Sequence, residues 1–121
     1  MSRLTLIAVS ALLLGACSDG ALPHNVKVAG DAERGRSLTS AAGCGACHEI
    51  PGVANAVGDV GPPLAGMSSR TVIAGVLPNT PPNMIRWLKA PQSVLPGNAM
   101  PNTGLDEDDA RDIAAYLYTL R

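Results

Sequence analysis

The chain has 121 residues, 46% of them hydrophobic, but only three aromatics: one Trp, two Tyr and no Phe. Nine basic residues against ten acidic ones leave a net charge of −1, without the basic stripe of a nucleic-acid binder. Low charge and ordinary apolar content exclude a disordered chain, and no apolar run reaches the roughly 20 residues of a membrane span. A domain this short buries roughly two-thirds of its unfolded surface, a task that large aromatics usually dominate. The core must therefore be Leu, Val, Ile and Ala, or something other than an amino acid must fill it.

Residues 1–16, MSRLTLIAVSALLLGA, combine a positive start at Arg3 with an apolar run from Leu4 to Ala16. A charged start, a short apolar stretch and small residues make a secretory signal. The run lacks the polar face of a surface helix, which disfavours an N-terminal core helix. Leu14-Gly15-Ala16-Cys17 resembles the bacterial lipobox. That resemblance implies cleavage before Cys17, a diacylglycerol on its thiol, and a mature chain of 105 residues. Each buried CH₂ of such an anchor contributes about 0.8 kcal/mol. The alternative, an ordinary signal with a free Cys17, leaves an exposed thiol in an oxidising compartment.

Residues 17–30 then read as a lipidated N-terminus and a flexible tether, polar and aperiodic. Its last 13 residues span at most about 45 Å when extended. His24 lies in it and reads as solvated. Residues 31–121 form one domain of ordinary size. Asp31 caps a first helix through Ala32, Glu33 and Arg34. Thr80-Pro81 starts a second helix, which Pro91 stops. Asp106 caps the last, with Asp109 in an acidic variant of the capping box, and Ala110, Ile113, Ala114, Leu117 and Leu120 follow helical spacing. The acids Asp106 to Asp109 read as a solvated, dipole-complementing cap rather than a metal site. Thr71-Val72-Ile73 is the one β-like stretch and shows no strand partner. The expected fold class is all-α with long loops.

Cys44-Gly45-Ala46-Cys47-His48 carries the chemistry. Cys-x-x-Cys-His is the pattern of covalent c-type haem attachment. Two thiols one helical turn apart can add to the two vinyl groups of one porphyrin, and the adjacent imidazole then reaches the iron. Such assembly takes place outside the cytoplasm, in agreement with the secretion signal. A Cys44–Cys47 disulfide would close too small a loop to matter. A thioredoxin-like dithiol would follow a strand in a βαβ unit, and none is visible. Structural zinc needs four ligands, and the obvious candidates are Cys44, Cys47 and the two His, of which Cys47 and His48 are adjacent in sequence. With one Cys for lipid and two for haem, none is left over.

The second axial ligand should be Met100. Met67 and Met84 sit at apolar positions that read as core. Met100 lies in a Pro/Gly loop, Leu95 to Pro101, 52 residues beyond His48. A thioether ligand raises the reduction potential.

On these residues the domain resembles the class I c-type cytochromes, from Gly30 to Arg121. That resemblance implies a cytochrome c-like fold wrapped around one covalent haem c. Gly30-Asp31-Ala32-Glu33-Arg34-Gly35 looks like the family's first helix, whose Gly packs on the last helix. Gly61-Pro62-Pro63-Leu64 looks like the loop whose first Pro carbonyl accepts a bond from the axial His, here Pro62 and His48. Arg70 falls where the family has an Arg facing a haem propionate, although a solvated charge explains it equally. Trp87 would pack the pocket on the Met side, and Asn98 stands where a hydrogen-bonding residue often lies two before the Met. Thr39 replaces a usual Phe, which implies a smaller contact with Tyr116.

The segments Val60 to Leu64, Ile73-Ala74-Gly75, Leu77 to Pro81, Pro91-Gln92 and Ala110 to Leu120 look most like the cytochrome c domain of bacterial haem-copper oxidase subunit II and its small free-standing relatives. The resemblance implies a monomeric, membrane-tethered electron carrier on the periplasmic side. Its donor would be a quinol-oxidising complex or a dehydrogenase, its acceptor a terminal oxidase, and it would not be an enzyme. A mature net charge of −2 gives no support for docking by a strongly basic ring. The alternatives are a fixed haem subunit of a larger complex, a thiol–disulfide oxidoreductase using Cys44 and Cys47, and a gas-binding or peroxidase cytochrome with an open sixth position.

Overall fold

The computed structural model describes residues 26–121. The signal segment, Cys17 and His24 lie outside the described residues. Four helices and a small hairpin run in the order α1 (Ala32–Ala41), β1 (Val72–Ile73), β2 (Leu77–Pro78), α2 (Pro81–Lys89), α3 (Pro91–Val94) and α4 (Glu107–Leu117), with 3₁₀ turns at Cys44–Ala46 and Met67–Ser69. The architecture is mostly helical with long loops, as the sequence leads one to expect.

Helix α1 begins where its sequence says it should. The Asp31 carboxylate accepts from the Glu33 and Arg34 amides at 3.0 Å each, covering two donors that the first turn leaves unpaired. The helix lies directly on α4 because Gly35 has no side chain: a Cβ there would overlap the Asp112 carbonyl. Side chains then fasten the pair. The Asp31 amide donates to Asp112 Oδ1 at 2.8 Å, and Arg34 binds both Asp109, at 2.5 Å, and Asp112.

Helix α4 buries Ala110, Ile113, Ala114 and Leu117 along one stripe, with Tyr116 beside them. Asp106 caps it through the Asp109 amide at 2.8 Å. The Asp109 carboxylate is engaged by Arg34 on α1, so an ion pair between helices holds the group that the capping box would have used. The acidic turn is thus partly a helix–helix fastener and not only a solvated cap.

Helix α2 sets Met84 and Leu88 against α4. It ends at Lys89, before Pro91, as expected: Ala90, at φ −142°, leaves the helical region as a residue before proline does. The departure is that Pro91 is also the first residue of the short helix α3. Pro is tolerated there because its missing N–H would have been unpaired anyway.

The second departure is the hairpin. Thr71-Val72-Ile73 does have a partner: Val72 pairs with Pro78 and Ile73 with Leu77, antiparallel. Pro78 hides the partner from propensity reasoning, because Pro is confined to strand edges and ends. The turn uses positive φ at Ala74 (51°) and Gly75 (74°), the twist a tight hairpin needs.

The third concerns the tether. Val26 and Val28, placed in it by the sequence, are partly buried against the core, and a Cβ on Gly30 would press on the Arg111 carbonyl. The described end of the tether therefore lies on the domain. Among the described residues, no helix is long and apolar enough to cross a membrane.

Candidate functional site

Helix α1 ends at Ala41, and Gly43, at φ 73°, reverses the chain into the Cys44–Ala46 turn. The Cys47 and His48 amides both return to the Cys44 carbonyl, at 3.2 and 3.0 Å. This winds the two thiols one turn apart and delivers His48 directly after them. Neither Cys44 nor Cys47 is in a disulfide. Burial pushes the Cys44 thiol up from its ordinary value, with a smaller upward push from Cys47. A dithiol oxidoreductase needs the opposite, an electropositive setting that lowers its attacking thiol.

The next loop folds back under the motif. Gly58 donates its amide to the Gly45 carbonyl at 3.1 Å, and Gly61 donates to the Cys47 carbonyl at 2.7 Å. Gly61 lies so close to the imidazole that any Cβ would overlap the His48 ring. His48 Nδ1 is 2.8 Å from the Pro62 carbonyl oxygen. A carbonyl can only accept, so Nδ1 carries the proton and Nε2 keeps its lone pair for another partner.

A cavity of about 390 Å³ opens over these groups, within the usual size of small-molecule sites. Cys44, Cys47, His48, Gly61 and Pro62 line it, together with Trp87, Asn98 and Met100. Leu64, Ile73, Leu88, Ile113 and Leu117 supply apolar surface from the loop, the hairpin, α2 and α4. The fold therefore brings together every candidate site residue of the domain. Met67 and Met84, 6% and 1% exposed, are core residues as expected and also face the cavity. Thr39 is 1% exposed, lines the cavity, and donates its hydroxyl to the Gly35 carbonyl at 2.8 Å.

The donor set suits a haem. Two adjacent thiols, an imidazole with its Nδ1 proton committed to Pro62 and a thioether share one largely apolar cavity, with no carboxylate among the described residues that line it. Among the described residues, no group of three or more His, Cys, Asp or Glu could hold another metal ion.

Two candidates take more local duties than the resemblance implied. Arg70 lines the cavity, but its guanidinium donates to the Pro63 and Ala65 carbonyls and holds that loop. Asn98 organises the methionine loop: its Oδ1 accepts from the Met100 amide at 2.8 Å, while Nδ2 donates to the Pro91 and Leu95 carbonyls at 3.1 and 2.6 Å.

Other residues emerge only from the structure. Gln92 ties α3 to the methionine loop. Asn79, 1% exposed, donates to the Met67 and Arg70 carbonyls and accepts from the Tyr118 hydroxyl at 2.7 Å. Gly61 was legible as part of a segment, but its closeness to the ring was not.

The cytochrome c family model matches residues 32–121. The chain is 35% identical over 91 residues to "Cytochrome c oxidase subunit 2" of Alkalihalophilus pseudofirmus, covering 74% of this chain and 26% of that protein. A Bacillus subtilis protein of the same name is 35% identical over 89 residues, covering 72% and 25%. The chain thus spans about a quarter of the length of these oxidase subunits. "Cytochrome c2 iso-2" of Magnetospirillum molischianum is 34% identical over 91 residues, covering 64% of this chain and 91% of that protein. The matched stretch includes all four helices and the whole lining of the cavity, and on that ground the chain belongs to the cytochrome c family, a haem electron carrier with its haem c covalently bound.

Proposed function

We propose that this protein is a membrane-tethered one-electron carrier of a bacterial respiratory chain, with Cys44 and Cys47 bonded to the haem and His48 and Met100 as axial ligands. The observation that carries this reading is the shared cavity. Both cysteines, the imidazole and the thioether line it, and the Pro62 carbonyl fixes the imidazole with Nε2 available. When bound, the haem supplies an iron that alternates between Fe(III) and Fe(II).

The protein's own residues account for the rest. Pro62 sets the His48 tautomer and raises its basicity as a ligand. Leu64, Ile73, Leu88 and Leu117 exclude water, and low polarity favours the reduced state. His48 and Met100 would both hold the iron, and a substrate would then have no place to bind, which is the property of a carrier rather than an enzyme. Val60, Val72 and Leu95 line the cavity and are 66%, 43% and 36% exposed, so an apolar rim is offered for contact.

The tether is Cys17, anchored by lipid on the periplasmic face of the membrane. The domain would take electrons from a quinol-oxidising complex or a dehydrogenase and deliver them to a terminal oxidase. The names of the oxidase relatives support the acceptor. Stopped-flow mixing of the reduced protein with oxidase-containing membranes tests this: rapid oxidation that a terminal-oxidase inhibitor blocks is the expected result. Failure to oxidise beyond the autoxidation rate counts against it.

A second reading has one specific observation in its favour. The oxidase relatives carry the similar stretch as part of a much longer chain, so this domain could be a fixed haem subunit. Solubilisation in mild detergent separates the two: a carrier runs alone, a fixed subunit runs with its complex.

A further inference from the structure

We infer that Gln92 is a positioning residue that holds Met100 on the iron and keeps external ligands off it. The inference rests on the axial role of Met100 proposed above. Gln92 is the second residue of α3 and does not line the cavity. Its side chain nevertheless spends all its hydrogen-bonding groups on the methionine loop. Nε2 donates to the Met100 carbonyl at 2.7 Å and to the Asn98 carbonyl at 2.8 Å, while Oε1 accepts from the Gly97 amide at 3.0 Å. One carboxamide thus grips three residues of a four-residue stretch. Its own amide is held in turn by Asn102 Oδ1 at 3.2 Å, on the far side of Met100.

The loop is held to the helices before it by a few side-chain links. It is a non-helical segment from Leu95 to Leu105 carrying positive φ at Gly97 and Gly104. Met100 itself is only partly buried against the core. Four side chains link the loop to helices α2 and α3: Gln92, Asn98 through the Pro91 carbonyl, Asn102 through the Gln92 amide, and Thr103 through the Leu88 carbonyl at 2.7 Å. Two of them reach Met100: Asn98 accepts from its amide, and Gln92 donates to its carbonyl and to that of Asn98, so Gln92 grips Asn98 as well.

The composition of the loop decides what happens when the grip fails. Residues 91–105 contain no Lys, His or Cys. The loop itself thus offers no substitute for a released Met100, and the other thioethers facing the cavity, Met67 and Met84, are packed in the core, so the vacated position is open to a small nitrogenous ligand from solution. The apparent affinity for such a ligand scales with the fraction of molecules in which Met100 is off. Losing two or three hydrogen bonds of ordinary strength raises that fraction about tenfold or more.

The test uses the haem-loaded full chain and imidazole as the probe. Three proteins are compared: the wild type, Gln92→Glu and Gln92→Leu. Gln92→Glu is nearly isosteric at a half-buried position, but it sets a carboxylate against two carbonyls. The expected result is imidazole binding to the ferric protein at least about tenfold tighter in both variants. The weak red Met–Fe(III) band should bleach at correspondingly lower imidazole. Ser93→Ala, whose hydroxyl bonds only the Ala90 carbonyl, should behave as wild type. Wild-type affinity and an intact band in both Gln92 variants would overturn the inference. A wild type that already lacks the band and binds imidazole as tightly as Met100→Ala would instead overturn Met100 ligation, a distinguishable outcome.

Discussion

The His48 imidazole stands between a glycine and a carbonyl: Nδ1 donates to Pro62 at 2.8 Å, and Gly61 leaves no room beside the ring for a single methyl group. The hydrogen bond fixes the rotation of the ring and the missing side chain fixes its approach. Gly61→Ala should therefore displace the ring. The expected loss is about 1–3 kcal/mol of stability from overpacking, together with poorer haem incorporation. Denaturant unfolding and haem content per chain measure both. Unchanged values would mean that the ring has slack that the contact denies.

A second pair closes the opposite end of the site. The Tyr118 hydroxyl donates to Asn79, and Asn79 holds the carbonyls of Met67 and Arg70. Tyr118→Phe leaves the buried Asn79 oxygen without that donor, at a cost of about 1–2 kcal/mol. Burial pushes the Tyr118 phenol up to about 12 from an ordinary value of 10.0. The folded state thus favours the neutral phenol. Its stabilising share is full below pH 10 and is lost as pH rises toward 12. Thermal melts from pH 9 to 12 should show a shallower alkaline decline in Tyr118→Phe than in the wild type.

The α1–α4 junction predicts acid behaviour of the opposite sign. The Asp31 amide, and then Arg34, hold the Asp112 carboxyl below its ordinary 3.8. A lowered pKa contributes stability above the ordinary value, and that contribution fades as pH falls through 3.8 and below. Asp112→Asn should lower the melting temperature at pH 7 and flatten its fall between pH 5 and pH 3. Parallel curves for the two proteins would count against this account.

Removing the haem should be severe. Without its occupant, the cavity of about 390 Å³ leaves the apolar lining from the loop, the hairpin, α2 and α4 with nothing to pack against. Apoprotein made by Cys44→Ala/Cys47→Ala should melt without a cooperative transition by calorimetry. A sharp, native-like transition would show that side chains alone suffice for the core.

The scarcity of aromatics was the most informative feature of the composition. Tyr116 and Tyr118 are buried, Trp87 borders the cavity, and apart from His48, Arg70 and Asn98 the rest of the lining is aliphatic, small or methionine. Helices α1, α2 and α4 were legible because each begins at a side-chain cap or a proline, and α4 also because its buried stripe repeats at helical spacing. The motif was legible because its chemistry demands a fixed local spacing. The hairpin was not, because it is short, contains Pro78, and rests on a turn with Ala74 at positive φ. Nor was the continuation at Pro91, since the same residue can end one helix or begin the next. Gln92 was invisible as a functional residue. Its partners are backbone atoms, and backbone partners leave no residue pattern to read.

Iron ligation by His48 and Met100 is the centre of this account, and the spectrum of the ferric protein tests it most directly. Produced with haem-maturation machinery, the wild type should show covalent low-spin haem c with the weak red Met–Fe(III) band. The band should vanish in Met100→Ala and persist in Met84→Ala. A band that survives in Met100→Ala, or is absent from the wild type, would contradict the account.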